Sequence, residues 1–253
     1  MKSIAKQLLR SLGLEVRRVA PDFVLPVEFT RRDIEIFNYV WDRHLTMELK
    51  SGLAAGMTAA KHAAVAQIPG DWVECGVWRG GISLAAKLIF EQYGSDKKVW
   101  LFDTFAGMTE PSEHDRPKFD DYDAQAMFDA NRREGFNEWC YASLDDVRNN
   151  FRQAGANLDQ VRFIQGDART TLKGPDLPEE ICVLRLDTDF YEATKVELEV
   201  LYPRLAIGGP ILIGDVGYWE GVRKAVDEYF TDPRTRPIFY YTDLSDRMGV
   251  KVN

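Results

Sequence analysis

The chain has 253 residues, 45% of them apolar and 28% charged, with a formal net charge of −8. At that length it buries about three quarters of its unfolded surface and needs no disulfide or metal to fold, and its composition excludes a disordered, collagenous or coiled-coil chain. Cys75, Cys140 and Cys182 are too few and too far apart for a disulfide framework or a zinc pattern, and no apolar run is long enough to span a membrane.

Residues 1–19 set Lys2, Lys6, Arg10, Arg17 and Arg18 against Glu15 alone, so the rest of the chain is more acidic than the whole. So acidic a body is a poor binder of phosphate backbones, and no nucleic-acid partner is expected. Ile4, Leu8, Leu9 and Leu12 fall at helical spacing among the basic residues. Such a segment suits docking on the body or on the partner subunit of a homodimer, or contact with an anionic membrane surface. Arg10 interrupts its apolar run and no small-residue cleavage site follows, so it does not read as a secretion signal. A cytoplasmic protein is expected, peripheral to a membrane at most.

Residues 30–67 read as helices, from the stripe Ile34, Phe37, Val40, Trp41 and the alanine-rich run Ala59–Ala66, and Pro69-Gly70 ends the pattern. His44 and His62 read as ordinary helix residues. Strand and helix then alternate: Trp72–Cys75, a helix over Ser83–Tyr93, Val99–Phe102, Val161–Gln165, Ile181–Leu186, a helix over Glu192–Tyr202, Pro210–Ile213, a helix over Glu220–Phe230, Ile238–Thr242 and a last strand near Val250. This order predicts an α/β fold with a mostly parallel sheet covered on both faces. Cys75 and Cys182 fall inside strands and read as core. Residues 106–141 break the alternation with many carboxylates and six aromatics, Phe119, Tyr122, Phe128, Phe136, Trp139 and Tyr141. They read as a partly helical lid or substrate-binding insertion, mobile without acceptor, in which His114 is a candidate substrate contact. The helix start Trp219–Val226 reads as structural.

Ligands of open α/β sheets bind at the carboxyl ends of the strands. There the chain places Glu74, Asp103, Asp167, Asp187 with Asp189, and Asp215. Trp78 occupies the position where a dinucleotide fingerprint needs its second glycine, which disfavours NAD. Carboxylates at these ends suit a ligand with hydroxyls, an amine and a positive centre. Glu74 or Asp103 can accept ribose hydroxyls and Asp167 an adenine amine, a demand that S-adenosylmethionine meets. Asp187 and Asp189 are two apart, so in extended backbone they share a side. Arg79 reads equally as a partner for the cofactor carboxylate or as a surface charge.

The segments Val73–Gly81, Leu184–Thr194, Leu201–Leu205 and Gly208-Gly209 resemble the macrocin-type O-methyltransferase family, over about Met57 to Phe230. The resemblance implies the class I methyltransferase (Rossmann-like) fold: a seven-stranded sheet with extra N-terminal helices and a helical lid. Residues 1–45 would be an N-terminal segment and 46–253 the methyltransferase domain. It further implies S-adenosylmethionine, Mg²⁺ and a sugar hydroxyl as acceptor. Glu74, Gly76, Val77, Trp78 and Arg79 would line the methionine end, with Thr58 and Ser83 nearby. Asp103 would hold the ribose and Asp167 the adenine; Asp187 and Asp215 would hold the metal and Asp189 would be the general base. The family carries adjacent carboxylates where this chain reads Gly214-Asp215, so one metal ligand is missing. On that reading Gly214→Asp is expected to tighten Mg²⁺ binding, and a catalytically impaired cofactor-binding scaffold is the rival function.

Overall fold

The computed structural model describes residues 23–253; the basic segment, with the docking or membrane contact expected of it, lies outside the described residues. Thr30 and Asp33 form a capping box that opens α1 (Arg31–Asp42). His44 is not helical: it sits in the turn after α1 with φ 51°. α2 (Lys50–Val65) follows, then β1 (Asp71–Cys75), α3 (Gly81–Gln92) and β2 (Val99–Asp103). The insertion comes next. It holds α4 (Ala124–Ala130), capped by Asp123, and a small hairpin of β3 (Arg132–Arg133) and β4 (Phe136–Asn137). α5 (Leu144–Gln153), capped by Ser143, leads to β5 (Val161–Gln165). The short α6 (Ala168–Thr171) precedes β6 (Ile181–Leu186), α7 (Tyr191–Leu201), β7 (Pro210–Ile213) and α8 (Glu220–Tyr229). β8 (Tyr240–Tyr241) and β9 (Arg247–Val250) end the chain.

The main sheet has seven strands in the order β5-β2-β1-β6-β7-β9-β8. β5, β2, β1, β6 and β7 are parallel, and β9 runs antiparallel to both its neighbours. The strands read as nearly continuous apolar runs because both faces are covered. One core packs α1, α2, α3 and α5 on Trp72, Leu101 and Val183. The other packs α7 and α8 on Val73, Leu184 and Ile211. From β1 the chain winds outward through β2 to β5, then returns to β6 on the other side of β1. That reversal opens a crevice above the carboxyl ends of β1 and β6.

Candidate active site

At the end of β1, Gly76 adopts φ 77°. A Cβ there would come under 3.0 Å from the Asp187 carbonyl, so glycine is what lets the ends of β1 and β6 meet. The Asp187 amide donates to the Cys75 carbonyl at 2.8 Å across that junction. Beyond it, the Val77 and Trp78 amides donate to Asp103 Oδ2 at 2.7 and 3.2 Å, and the Phe105 amide to Oδ1 at 2.7 Å. Asp103 therefore fixes the glycine loop, holding Trp78 at φ 46°. Burial raises the Asp103 pKa even against these three amides.

Behind the loop lies a buried polar network. Glu74 and Arg185 are register partners on β1 and β6. Arg185 donates to Glu74 at 2.6 Å, to Asp187 at 2.8 Å, and to Glu48 from the loop before α2. Burial works against the Arg185 charge, yet Asp187, Glu74 and Glu48 hold it protonated. Ser83 donates to the other Glu74 oxygen and accepts from Trp72 Nε1 at 2.8 Å. Both Glu74 oxygens thus have partners within the protein, as do both Asp103 oxygens, and both residues line the cavity. Ser83 is wholly buried behind the wall.

Three carboxylates project above this base. Ligand atoms of Asp187, Asp189 and Asp215 lie within 4.8 Å of one another, as do those of Glu48, Asp243 and Asp246 beside them. Burial, opposed by Arg185 and reinforced by Asp246 and Asp215, pushes Asp187 up to about 8. Burial and then the adjacent Asp215 push Asp189 well above the usual carboxylate range. Such a hard oxygen set can hold a divalent cation, or a proton shared between carboxylates. Asp189 and Asp215 both sit at positive φ, 67° and 59°. Their turns are held from outside: Thr188 donates to Glu197 at 2.9 Å, and Ser245 to Asp215 at 2.9 Å.

The insertion and the β7–α8 turn close the far side with aromatic rings. Trp139 and Tyr122 from the insertion meet Trp219 at centroid distances of 6.2 and 6.0 Å. Trp219 also packs on Phe190 at 5.3 Å, and the Tyr218 and Tyr122 hydroxyls are 3.2 Å apart. Trp219 is therefore part of the cavity wall, not only the start of a helix. The cavity, open on one side, measures about 420 Å³, a volume suited to a small-molecule site.

Of the residues expected at the site, Glu74, Gly76, Val77, Trp78, Asp103, Asp167, Asp187, Asp189 and Asp215 all line this cavity. Thr58, Arg79 and Ser83 do not. Thr58 lies in the middle of α2, and Arg79 stacks over the Trp78 ring and reaches the His44 carbonyl. Asp167 caps α6 and is held in a two-pronged contact with Arg169. His114 stays outside, edge-on to Tyr191 and 3.2 Å from Lys224 Nζ. Sequence reasoning passed over Arg185, Glu48, Asp243 and Asp246. Arg185 carried a signal: a charge inside an apolar strand must be paired when buried.

Residues 43–239 match the profile of the family described as Macrocin-O-methyltransferase (TylF). The chain belongs to the macrocin-O-methyltransferase family. It is 37% identical over 163 residues to 8-demethyl-8-(2,3-dimethoxy-alpha-L-rhamnosyl)-tetracenomycin-C 4'-O-methyltransferase of Streptomyces olivaceus, covering 64% of this chain and 58% of that protein. It is 36% identical over 164 residues to demethyldecarbamoylnovobiocin O-methyltransferase of Streptomyces niveus, again 64% and 58%. The chain thus spans under two thirds of the length of these curated relatives. Among solved structures, the O-methyltransferase NovP superposes with a TM-score of 0.69 at 28% identity, over 82% of each chain. The fold is that of a class I methyltransferase. The macrocin-O-methyltransferase match takes in both the glycine loop and the acidic cluster, since both fall within residues 43–239.

Proposed function

We propose that this protein transfers the methyl group of S-adenosylmethionine to a hydroxyl of a sugar-bearing small molecule. One observation carries the reading: a single cavity joins the Asp103-pinned glycine loop to three mutually close carboxylates under an aromatic wall. Residues 46–253 are the methyltransferase domain on this reading, with 106–141 as its acceptor-side insertion. The loop Gly76–Trp78 with Asp103 and Asp167 binds the cofactor, Asp103 toward its ribose and Asp167 toward its adenine. When bound, S-adenosylmethionine supplies an electrophilic methyl group, and a divalent cation supplies acidity to the acceptor hydroxyl.

The chain's own work is to bind, align and remove one proton. Asp189 takes the proton of the acceptor hydroxyl as the new oxygen–carbon bond forms. Asp187 and Asp215 suit the cation, because their oxygens lie close together and burial alone would keep them from ionising. Arg185 opposes the effect of burial on Asp187, favouring its charged form when a cation joins it. Trp139, Tyr122 and Trp219 offer flat faces for the apolar side of a sugar and exclude water. Incubation with S-adenosylmethionine labelled in the methyl group and a panel of aryl α-L-rhamnosides and other glycosides, with and without Mg²⁺, tests this. Labelled methyl ether is the expected product. Tight binding of S-adenosylhomocysteine with no transfer to any glycoside would favour the scaffold reading.

A further inference from the structure

α7 begins directly after Asp189, and its N-cap residue Phe190 gives it no side-chain cap. The first turn of a helix carries amides without partners inside the helix. The missing acceptor comes from the insertion, 76 residues earlier: Asp115 Oδ1 accepts from the Tyr191 amide at 2.7 Å. Its second oxygen accepts from the Ser112 amide and hydroxyl, both at 2.7 Å. Asp115 is buried at 3% exposure and does not line the cavity.

The same short stretch grips the next catalytic turn. The Lys118 amide donates to the Tyr218 carbonyl at 2.8 Å, and the Glu220 amide to the Arg116 carbonyl at 3.0 Å. Tyr218 and Trp219 in turn donate to the Asp215 carbonyl at 3.0 and 2.9 Å. Residues 112–118 therefore strap the turn that presents Asp189 to the turn that presents Asp215. α8 is shaped to admit this strap. A Cβ at Gly221 would come under 3.0 Å from Asp115 Oδ1, so the second residue of α8 leaves room for that oxygen.

We infer that Asp115 is a positioning residue for Asp189, acting through the Tyr191 amide, and that Gly221 is its seat. This rests on the proposed methyl transfer with Asp189 as base. The root of the insertion is on this view a fixed strap, whatever its tip does. Asp189 holds a left-handed conformation that a non-glycine residue keeps only when its surroundings impose it. Removing the anchor two residues later frees that turn.

The experiment compares wild type with Asp115→Ala, Asp115→Asn and Gly221→Ala. Three readouts are taken: amide exchange by NMR, S-adenosylhomocysteine binding by calorimetry, and methyl transfer to p-nitrophenyl α-L-rhamnopyranoside. Exchange of the Tyr191 amide should quicken about ten-fold or more in Asp115→Ala and Gly221→Ala, with the last turn of α7 unchanged. Cofactor-product affinity should stay within about two-fold, because neither residue faces that end of the cavity. Turnover should fall roughly 10- to 100-fold with a smaller change in KM, as expected for a displaced catalytic group. Asp115→Asn, which keeps one acceptor, should fall between. The Asp115 variants are the decisive ones, since a Cβ at Gly221 would also approach the Tyr191 Cβ at 3.0 Å. Wild-type exchange at Tyr191 in both severe variants would overturn the inference, and so would quickened exchange with unchanged kcat. A wild-type enzyme that binds S-adenosylhomocysteine yet methylates no glycoside would instead overturn the proposed function, and the amide readout alone would then decide the role of Asp115.

Discussion

Gly214 lies so close to Asp187 that a Cβ at position 214 would come under 3.0 Å from Asp187 Oδ1. The apparent loss of a carboxylate at this position is therefore not a vacancy that a side chain can refill. Asp187 already fills the space, drawn there by Arg185. Gly214→Asp, which sequence reasoning expects to tighten Mg²⁺ binding, should weaken it. Overpacking of this kind costs about 1–3 kcal/mol. Urea unfolding of Gly214→Ala and Gly214→Asp, with Mg²⁺ titration by calorimetry, checks both effects. Tighter Mg²⁺ binding by Gly214→Asp would contradict the packing argument.

Arg185 is the one cation among the described residues that line the cavity, and it holds three carboxylates. Removing one partner of a buried ionic network typically costs about 3–5 kcal/mol, because the remaining charges lose their compensation. Arg185→Met, similar in length but uncharged, should lower stability by that order in a denaturant titration. Glu74→Gln should cost less, since Arg185 keeps Glu48 and Asp187. Equal losses in the two variants would show that Arg185 is not the hub.

Glu197 on α7 is wholly buried, accepting from Thr188 through one oxygen, while the other has no conventional hydrogen-bond donor among the described residues. Burial, only partly offset by the Thr188 hydroxyl, pushes its pKa from 4.5 up to about 8. Between those values the folded state holds a proton that the unfolded chain has released. The contribution of Glu197 to stability is thus fully present below about pH 4.5 and is lost as pH rises through 8. Glu197→Gln cannot ionise in either state. Its thermal stability should match wild type near pH 4.5 and exceed it above pH 8, by on the order of a few kcal/mol. Parallel stability curves for the two proteins across this range would refute the buried, protonated carboxyl.

Asp189→Asn keeps the size of the side chain and removes its basicity. General-base catalysis typically contributes about 10²–10⁴-fold, so turnover should drop by that order. Affinity for S-adenosylhomocysteine should hold, because the glycine loop is pinned by Asp103 and not by Asp189. Single-turnover kinetics separate the chemical step from product release. Most of the wild-type rate surviving in that step would remove Asp189 from the mechanism.

The central strands were legible because buried parallel strands announce themselves. Trp72–Cys75, Val99–Phe102, Ile181–Leu186 and Pro210–Ile213 are mostly apolar segments, broken only by Glu74 and Arg185, and each recurs as a strand with ends shifted by a residue at most. Carboxylates within three residues beyond such runs stand at the carboxyl edge, so the cavity wall of Asp103, Asp187, Asp189 and Asp215 followed from one-dimensional order. The helix α5 and the β3–β4 hairpin left no such mark. α5 is marked instead by Leu144, Val147 and Phe151 at helical spacing behind the Ser143 cap, and the hairpin pairs only two residues from each strand.

What the chain by itself determined was therefore local: which segments bury both faces, where they end, and which charges stand at those ends. The tertiary structure alone decided which charges meet. Glu74 looked free to bind a ligand until β6 brought Arg185 into register beside it. Asp115 looked like one more surface acid of a polar insertion until the fold set it on the first amide of α7. Glu48, Asp243 and Asp246 come from loops far apart in sequence and share one cavity with Asp187. Periodicity reports the environment of a residue along its own element, whereas hydrogen bonds and ion pairs act over a few ångströms between elements. Their partners are fixed only when β1 and β6 lie side by side and the loops close over them.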